Sequence, residues 1–413
     1  MERTISITLA TLLSLFISSR SLGRTWVVRK DGPLASIQQA ERMASPHDTL
    51  LVQPGVYLEK SLIIDKPLFL RGIRGAILDG ESRYEVIVVK ADDVVIEGFT
   101  IRHSGYSGWN DIAGIRILAV RRVIVRNNIL DDTFFGIYSQ NADSCLIEGN
   151  SLKSRAAIQS GNGIHCWKCN RMQILNNSIT RHRDGIYFEF VTNSLIRGNQ
   201  SLFNLRYGLH FMFSHNDRYE NNIFEHNEAG VSVMFSHGVE MKANTFTQNL
   251  GGGAYGILMK EISDSRVEGN HFTHNTIGIY MEGTTRVHIH KNTFSGNGWA
   301  MKIQASCSDD TIARNNFAGN TFDVATNGAL VLNTFDGNYW DKYEGYDLNR
   351  DGIGDIPFRP VSLYTMIAEK NPVVMMLYHS FMVTMLDKTE KVIPSITPVN
   401  LLDNRPFMKP LTL

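Results

Sequence analysis

A pattern that returns mostly every 22 residues constrains this sequence more than any other feature. Each unit starts with a Gly followed by an apolar residue and leads to an Asn 14 residues later, in all eight units. Since a lone helix or hairpin has no such period, the pattern predicts a stack of repeated structural units. The glycines are Gly114, Gly136, Gly163, Gly185, Gly208, Gly230, Gly256 and Gly278, and the asparagines are Asn128, Asn150, Asn177, Asn199, Asn222, Asn244, Asn270 and Asn292.

The residues after each Gly alternate between apolar and polar character, which is the period of a β-strand. In the unit that starts at Gly185, Ile186 and Phe188 are apolar. The residues between and after them, Tyr187 and Glu189, are amphipathic or charged. Another short apolar run precedes each Asn. We therefore predict an all-β fold, a right-handed parallel β-helix of about ten rungs in which equivalent residues stack in columns.

The Asn and Gly columns each have a physical explanation. Asn tolerates the left-handed backbone of a corner, and its side-chain amide can bond the next Asn in the stack. Gly is expected where the backbone must turn without a Cβ. Because the Gly-to-Asn half is constant, insertions fall in the other half, near 155–162 and 250–255, and protrude from one edge.

The chain divides into four regions, of which the first has the form of a secretory signal. Arg3 precedes an apolar run from Ile5 to Ile17, which is shorter than the roughly 20 residues of a membrane anchor. We therefore expect export of the mature protein. The stretch Ile37–Ala44 predicts an amphipathic helix that caps the core. The regions are a signal peptide (1–23), a β-helix domain (24–340), a cation-binding loop (341–360) and a C-terminal helix with an extended tail (361–413).

Charge and composition argue against several classes of protein. The 41 basic and 41 acidic side chains balance, whereas binding of nucleic acid needs a basic field. Only four cysteines are present, too few for a disulfide scaffold. The outward acids Glu189 and Glu282 lie four rungs apart, roughly 19 Å, which is too far for the carboxylate pair of a glycosidase. We therefore expect that the protein is not an enzyme.

Two neighbouring units repeat the tetrapeptide Met-Phe-Ser-His in register. Met212 and Met234 lie four residues after their glycines and face outward, and His215 and His237 follow three residues later. Outward methionine is unusual on a soluble surface. Stacked thioethers with imidazoles beside them suit a soft ion such as Cu(I), with His210 as a third imidazole. The alternative is a duplicated pair of rungs whose methionines only pack under an edge loop.

A second candidate site has most of the pattern of a calcium-binding loop. Oxygen ligands stand at loop positions 1, 3, 5, 7 and 9, and a Gly stands at position 6. Position 12 is Phe358 rather than Glu, so the pattern is incomplete. We predict a structural Ca²⁺ or Mg²⁺ ion here; the alternative is a turn that binds no ion. The expected ligands are Asp347, Asn349, Asp351, Ile353 through its carbonyl oxygen, and Asp355.

The C-terminal region contains an apolar stretch that predicts a helix over Pro372–Lys388. It is too short to span a bilayer. We expect it to dock on a membrane-embedded partner with a methionine-rich face that could also pass copper; the alternative is a helix folded back on the coil. The segment from Pro394 onward is expected to be extended and not to pack alone. The candidate docking residues are Met375, Met376, His379, Met382 and Met385.

These features together resemble the NosD family, the periplasmic β-helix proteins of nitrous-oxide-reductase maturation. The rungs alone are shared by many β-helix proteins, including pectin-degrading enzymes, so the resemblance depends on other segments. Those segments are Ser36-Ile37-Gln38-Gln39-Ala40, Gln53-Pro54-Gly55-Val56-Tyr57, Asn338-Tyr339-Trp340-Asp341, the Asp347–Asp355 loop, Ile356-Pro357-Phe358 and Pro394-Ser395-Ile396-Thr397-Pro398-Val399-Asn400.

The resemblance implies a partner protein of an ABC transporter-like complex. In that family the protein sits on a membrane permease subunit driven by a cytoplasmic ATPase, in the periplasm at the inner membrane. It handles copper, or a copper/sulfur species, received from a small lipoprotein chaperone for the copper sites of nitrous oxide reductase. The family assigns no copper ligand residue by residue, so the Met/His set above remains our own prediction.

The competing hypothesis is a carbohydrate-active or carbohydrate-binding β-helix protein. A catalytic version would need clustered acids, or a basic residue with calcium, on the face of the coil. A binding version would use the outward tyrosines Tyr138, Tyr187 and Tyr280 as stacking platforms.

Overall fold

The computed structural model describes residues 23–107, 109–155, 161–328, 332–378, 380–392 and 401–413, so the predicted signal peptide lies outside the described residues except for Gly23. Three sheets of 14, 12 and 13 strands run along the coil, and neighbouring strands pair in parallel. This confirms the predicted parallel β-helix. The predicted ten rungs were too few, since there are about 13. The first rungs lack the Gly and Asn pattern, whereas the last rungs keep the Asn ladder through Asn315 and Asn338 and replace the Gly by Ala300 and Asp323.

Within each sheet, the strands lie side by side in chain order. Sheet 1 comprises Thr25–Val28, Thr49–Val52, Phe69–Gly72, Val95–Glu97, Ile124–Arg126, Leu146–Glu148, Gln173–Leu175, Leu195–Arg197, Arg218–Glu220, Glu240–Lys242, Arg266–Glu268, His288–His290, Ser308–Ala313 and Leu332–Asp336. Sheet 2 comprises Leu62–Ile64, Ile87–Val89, Ala113–Leu118, Phe135–Gln140, Ile164–Trp167, Asp184–Glu189, Tyr207–Met212, Ala229–Met234, Tyr255–Lys260, Ile277–Glu282, Trp299–Ile303 and Phe322–Thr326. Sheet 3 comprises Gly55–Tyr57, Ala76–Asp79, Thr100–Arg102, Ile129–Asp131, Ser151–Lys153, Ser178–Thr180, Gln200–Leu202, Ile223–Glu225, Thr245–Thr247, His271–Thr273, Thr293–Ser295, Asn316–Ala318 and Tyr339–Trp340.

The asparagine column forms a continuous hydrogen-bonded ladder. Asn199 Oδ1 accepts from the backbone and side-chain nitrogens of Asn177 at 2.9 and 3.0 Å, and its own Nδ2 donates to Ile174 O at 2.8 Å. The ladder bonds agree with the expectation, but the corner explanation was wrong. The left-handed residue is the one before the ladder position, such as Asn176 with φ 54°.

The glycine column also has a different cause from the one expected. Gly208 does not have a positive φ. A Cβ added there would lie 2.6 Å from Gly230 O and 2.8 Å from the Phe224 ring. Glycine is therefore required because consecutive rungs approach closely, and not because the chain turns.

Short helices close the two ends of the coil. Helix α1 (Ile37–Met43) starts at Ser36, whose side chain caps Gln39 N, and buries Ile37 in the core as predicted. At the other end lie α2 (Leu363–Lys370), a 3₁₀ helix (Pro372–Leu377) and α3 (Phe381–Val392). The single helix predicted over Pro372–Lys388 is thus two elements, and α2 was not predicted.

The described part of the chain terminus, residues 401–413, packs on the coil rather than alone. The buried Asp403 carboxylate accepts from Gly337 N, from Asn338 N and Nδ2, and from Trp340 Nε1, all at 2.8–3.0 Å. Asp403 therefore takes the place of the next asparagine and ends the ladder. The role of Asp403 was missed because the Pro-rich composition of this segment indicated an extended tail.

Candidate metal-binding face

Met212 and Met234 share a column on the outer face of sheet 2. They end neighbouring strands and are direct register partners, with Glu189 before them and Lys260 after them. Both thioether side chains are half-buried. Met259 in the next rung lies on the inner face and is fully buried. The structure therefore places the two methionines together, on the side that the alternation predicted.

His215 and His237 stack face to face on the same two rungs. Their ring centroids lie 4.0 Å apart with an interplanar angle of 13°, and His237 N donates to His215 Nδ1 at 3.2 Å. Burial, followed by the neighbouring His237, lowers the pKa of His215. At neutral pH this imidazole is therefore uncharged, which is the form that binds metals.

A phenylalanine corner lies between the methionine column and the histidine pair on each rung. Phe213 and Phe235 have left-handed backbones, with φ of 49° and 52°, a conformation that costs a bulky residue about 1 kcal/mol or more. They stack with each other at 5.1 Å, and Phe190 continues the ladder at 5.3 Å. The two rungs thus present thioethers, phenyl rings and imidazoles side by side.

His210 belongs to a buried polar cluster rather than to the histidine pair. Its Nδ1 lies 3.6 Å from Asp184 Oδ2, which is an ion-pair contact longer than a hydrogen bond. Arg206 binds both oxygens of Asp184, at 2.9 and 2.5 Å. Burial alone would raise the pKa of Asp184, but the contacts with His210 and Arg206 outweigh it and hold that pKa below its ordinary value.

The free nitrogen of His210 makes it a candidate ligand for a metal. Its Nε2 is buried and has no hydrogen-bond partner. Its Nδ1 lies 3.6 Å from Asp184 Oδ2 and 3.4 Å from Arg206 Nη2, so Nε2 is the nitrogen that remains open to a metal. Tyr187 connects this cluster to the methionines, since its ring contacts His210 at 4.9 Å and its hydroxyl lies 3.8 Å from Met212 Sδ.

The ligand set on this face mixes sulfur with nitrogen. Across the residues that the structure describes, no three His, Cys, Asp or Glu side chains are placed to hold a metal ion. The candidate ligands that this face presents are methionine sulfur and imidazole nitrogen, which Cu(I) prefers and Ca²⁺ and Mg²⁺ do not.

Sequence reasoning missed Asp184, Arg206 and the role of Tyr187. Asp184 stands directly before Gly185, in a column that Phe135, Tyr207 and Ala229 occupy in other rungs. Asp184 could have been identified from the sequence, because it is a carboxylate in a column of otherwise uncharged residues. Its salt bridge with Arg206 could not be read from the period, because it joins two different rungs.

The predicted cation loop forms a network of its own. Asp347 accepts from Asp351 N at 3.2 Å and Gly352 N at 2.8 Å, and Asp355 Oδ2 accepts from Leu348 N at 2.7 Å. Gly352 has φ 85°, as a sharp turn requires. Asn349 and Ile353 lie in the same turn, where Asn349 Oδ1 accepts from Asp351 N at 3.1 Å and Ile353 N donates to Asp351 Oδ1 at 2.8 Å. The calcium or magnesium site stays a prediction.

The methionines of the C-terminal region lie at its surface. Met376 is 88% exposed and Met382 is 64% exposed, and Met375 and Met385 are also exposed. His379 lies outside the described residues. The opposite side of α2 and α3 packs on the last rungs of sheet 2. The buried residues of that contact are Ile277, Trp299, Phe322, Tyr364, Ala368 and Val383.

The carbohydrate hypothesis depends on two acids and three tyrosines of sheet 2. Glu189 and Glu282 occupy one column with three rungs between them, and Glu282 pairs with Lys260 at 3.3 Å. Tyr138 is buried beneath Phe135 and His165, so its ring is not a stacking platform. Tyr187 and Tyr280 are half-buried.

No helix in the described ranges has both the length and the apolar character needed to cross a bilayer.

Comparison with known proteins gives matches of two kinds. Residues 152–345 match the family described as "Periplasmic copper-binding protein (NosD)". A probable ABC transporter binding protein NosD from Stutzerimonas stutzeri is 27% identical over 368 residues, which is 84% of each chain. A protein of the same name from Pseudomonas aeruginosa is 26% identical over 372 residues, which is 84% of this chain and 86% of the relative.

Solved structures are similar in fold. The Dettilon tailspike protein aligns with a TM-score of 0.56 at 14% identity, over 69% of this chain and 64% of its own. A family 28 exopolygalacturonase from Yersinia enterocolitica aligns with a TM-score of 0.51 at 11% identity, over 76% of this chain and 77% of its own. At such identities the likeness shows a common β-helix and nothing about activity.

Proposed function

We propose that this chain, which matches the NosD family over residues 152–345 and is 26–27% identical to two NosD proteins over 84% of its length, carries copper in the periplasm for the copper sites of nitrous oxide reductase. It receives Cu(I) from a chaperone lipoprotein and works on the permease of an ABC transporter whose ATPase is cytoplasmic. The role is binding and transfer rather than catalysis. The observation that carries the proposal is the register pair Met212 and Met234 beside the stacked histidines.

The copper cargo is proposed to bind at the methionine column and the imidazoles next to it. Met212 and Met234 supply thioethers on adjacent rungs, and His215 and His237 supply imidazoles beyond the corner. His210, oriented by Asp184, supplies a third nitrogen near Met212 through the Tyr187 contact. Thioether and imidazole are ligands that favour Cu(I) over hard cations.

A competition titration with a Cu(I) chelator tests this assignment. We expect the double variant Met212→Leu/Met234→Leu to bind Cu(I) at least about tenfold more weakly, since two sulfur ligands are lost. The matched control is Met259→Leu/Met281→Leu, which removes the same two thioethers from the inner face at similar volume. Equal affinity of the wild type and the outward variant would refute the assignment.

The association with a membrane partner is proposed to use the exposed side of the 3₁₀ helix and α3. Met376, Phe381 and Met382 are exposed there, at 64–88% of their surface. Exposed apolar side chains clustered on one short segment indicate an interaction site. The buried side of the same segment holds it on sheet 2, so the surface is presented by a fixed support.

Point variants test this interface better than truncation, because the chain terminus ends the Asn ladder through Asp403. We expect Met376→Ser/Phe381→Ser/Met382→Ser to lose co-purification with the permease and to keep its melting temperature. The control Leu250→Ser/Leu348→Ser removes exposed leucines elsewhere and should co-purify normally. Full retention of the permease by the triple variant would contradict the proposed interface.

A further inference from the structure

A cavity of about 880 Å³ lies where the coil ends. It is enclosed by the last strand of sheet 2, the segments 342–345 and 356–360, and α2. It is far along the coil from the Met/His rungs, since three strands of sheet 2 separate Ala229–Met234 from Phe322–Thr326. Aromatic side chains form much of its wall. These are Phe322, Tyr343, Phe358, Tyr364 and Tyr378.

Asp323 reaches this cavity because of its place in the glycine column, and Glu344, Lys342 and Arg359 are the other charged residues that line it. Asp323 stands in the last strand of sheet 2, at the position that Gly256 and Gly278 hold in earlier rungs. There, a Cβ would lie 2.6 and 2.5 Å from the carbonyl oxygen of the following rung. No further strand of sheet 2 follows Phe322–Thr326 among the described residues. Ala300 already replaces the glycine in the preceding rung, and the larger side chain of Asp323 lies in the last strand and lines the cavity.

Asp323 is buried, and one of its two carboxylate oxygens has no hydrogen-bond partner. Lys342 Nζ lies 3.3 Å from Oδ2 and also donates to Asn320 O at 2.9 Å and Thr321 O at 3.1 Å, so its three protons are used. Oδ1 has no hydrogen-bond partner although Asp323 is only 4% exposed. Burial raises the pKa of Asp323 to about 6. Near pH 7 the carboxylate is therefore mostly ionised and incompletely compensated.

The tyrosines around it present rings rather than hydroxyls. Tyr343 OH donates to Ile356 O at 2.7 Å and Tyr378 OH donates to Thr321 O at 3.0 Å. The Tyr378 ring contacts Phe322 at 5.1 Å, so it is fixed on two sides. A buried carboxylate among fixed aromatic rings has the chemistry of a site for an organic cation, since the faces of such rings attract ammonium groups.

We infer that this cavity binds an organic ammonium ion on a small apolar body, with Asp323 as its anionic partner and the aromatic side chains as its cage. The ammonium group bonds Asp323 Oδ1, and its alkyl part fills the aromatic wall. The same chemistry can come from a free small amine or from a lysine side chain of another protein. The site is separate from the copper-binding face and its test does not involve copper.

Calorimetric titration of the full chain with n-butylammonium chloride tests the inference against n-butanol, which has the same alkyl chain without the charge. We expect butylammonium to bind at least about tenfold more tightly than butanol. Asp323→Asn should reduce it to the level of butanol. The control Asp264→Asn, at an exposed carboxylate paired with Arg286, should bind as the wild type does. Equal binding of the two probes to the wild type would overturn the inference.

Two further variants keep the test decisive if Asp323→Asn unfolds. Lys342→Met removes the competing ammonium and should strengthen butylammonium binding, whereas unchanged or weaker binding would contradict the site. Tyr378→Leu should weaken binding and Tyr378→Phe should retain it, because the ring and not the hydroxyl faces the ligand. Nα-acetyl-lysine methylamide distinguishes the sources: tighter binding than butylammonium supports a lysine side chain, and weaker binding supports a free amine.

Discussion

The inside of the coil and the outer face of sheet 2 use the same rungs in opposite ways. Inside, like residues stack on like: Phe246, Phe272 and Phe294 follow one another at ring distances of 4.8 Å. Outside, consecutive rungs differ, and buried polar atoms such as His210 Nε2 and Ser232 Oγ have no partner. The repeated inner side makes the fold, and the outer side holds the proposed copper ligands.

Methionine shows the contrast most clearly, because it occurs on both sides of neighbouring rungs. Met259 and Met281 are inward register partners with no exposed surface. Met212 and Met234 are outward register partners and half-buried. The same residue pair at the same spacing therefore fills space in one case and offers two sulfur atoms in the other.

The largest effect on stability is expected from the inside, at the asparagine ladder. Asn222 Oδ1 accepts from Asn199 N and Nδ2 at 2.9 and 3.0 Å, and its Nδ2 donates to Ile196 O at 3.0 Å. Asn222→Ala would leave these buried groups unpaired, which is expected to lower the free energy of unfolding by about 3 kcal/mol or more. Denaturant unfolding measures it, and Cu(I) affinity of the folded variant should be unchanged.

Gln200→Ala is the control for the ladder variant, since it removes an exposed amide from the same region. Its free energy of unfolding should change by less than about 0.5 kcal/mol. If Asn222→Ala were as mild as Gln200→Ala, the ladder would not be the source of the coil's stability.

An intermediate effect is expected from the outside, at the histidine pair. His215→Gln/His237→Gln should weaken Cu(I) binding about tenfold, which corresponds to about 1.4 kcal/mol. Stability should change little, because His237 is exposed and the pair forms no part of the core. Competition with a chelator measures the Cu(I) affinity, and thermal unfolding measures the stability. A variant that loses stability but keeps its Cu(I) affinity would reverse the contrast between the two faces.

The smallest effect is a dependence of stability on pH that originates inside the coil. Asp310 Oδ1 accepts from Val287 N at 2.8 Å and Oδ2 accepts from Thr284 Oγ1 at 2.6 Å, and burial raises the pKa of this carboxyl. The folded state therefore holds the proton more tightly than the unfolded state. The stabilisation is present below the ordinary carboxyl pKa and is lost as the pH rises through the raised value. Asp310→Asn should flatten this part of the stability curve; an unchanged slope would contradict it.

The fold was largely predictable because each rung of a solenoid repeats the same residue pattern. The eight Gly-to-Asn units fixed the strands and the inward and outward columns, and they separated Met212 from Met259 correctly. The number of rungs was underestimated because the first rungs lack the Gly and Asn residues and the last rungs lack the Gly. The role predicted for Gly208, a turn of the backbone, was also wrong. Glycine is needed there because the next rung lies close, and that closeness depends on the stacking of rungs and not on the local sequence.

The candidate site was predictable only where it follows the period. Met212, Met234, His215 and His237 repeat in register, so their columns could be identified. Asp184 and Arg206 do not repeat, and their contact with His210 arises from side chains that cross between rungs. Asp403 was missed for a similar reason, because it reaches the ladder from 65 residues away. Single contacts between distant segments leave no periodic trace in a sequence.

Copper K-edge X-ray absorption of the Cu(I)-loaded protein tests the central claim most directly. We predict a shell of sulfur together with nitrogen in the wild type and in Met259→Leu/Met281→Leu. In Met212→Leu/Met234→Leu, we predict loss of the sulfur shell with nitrogen retained. A sulfur shell that persists in the outward variant, or one that disappears in the inward variant, would contradict the assignment of copper to the outer face of sheet 2.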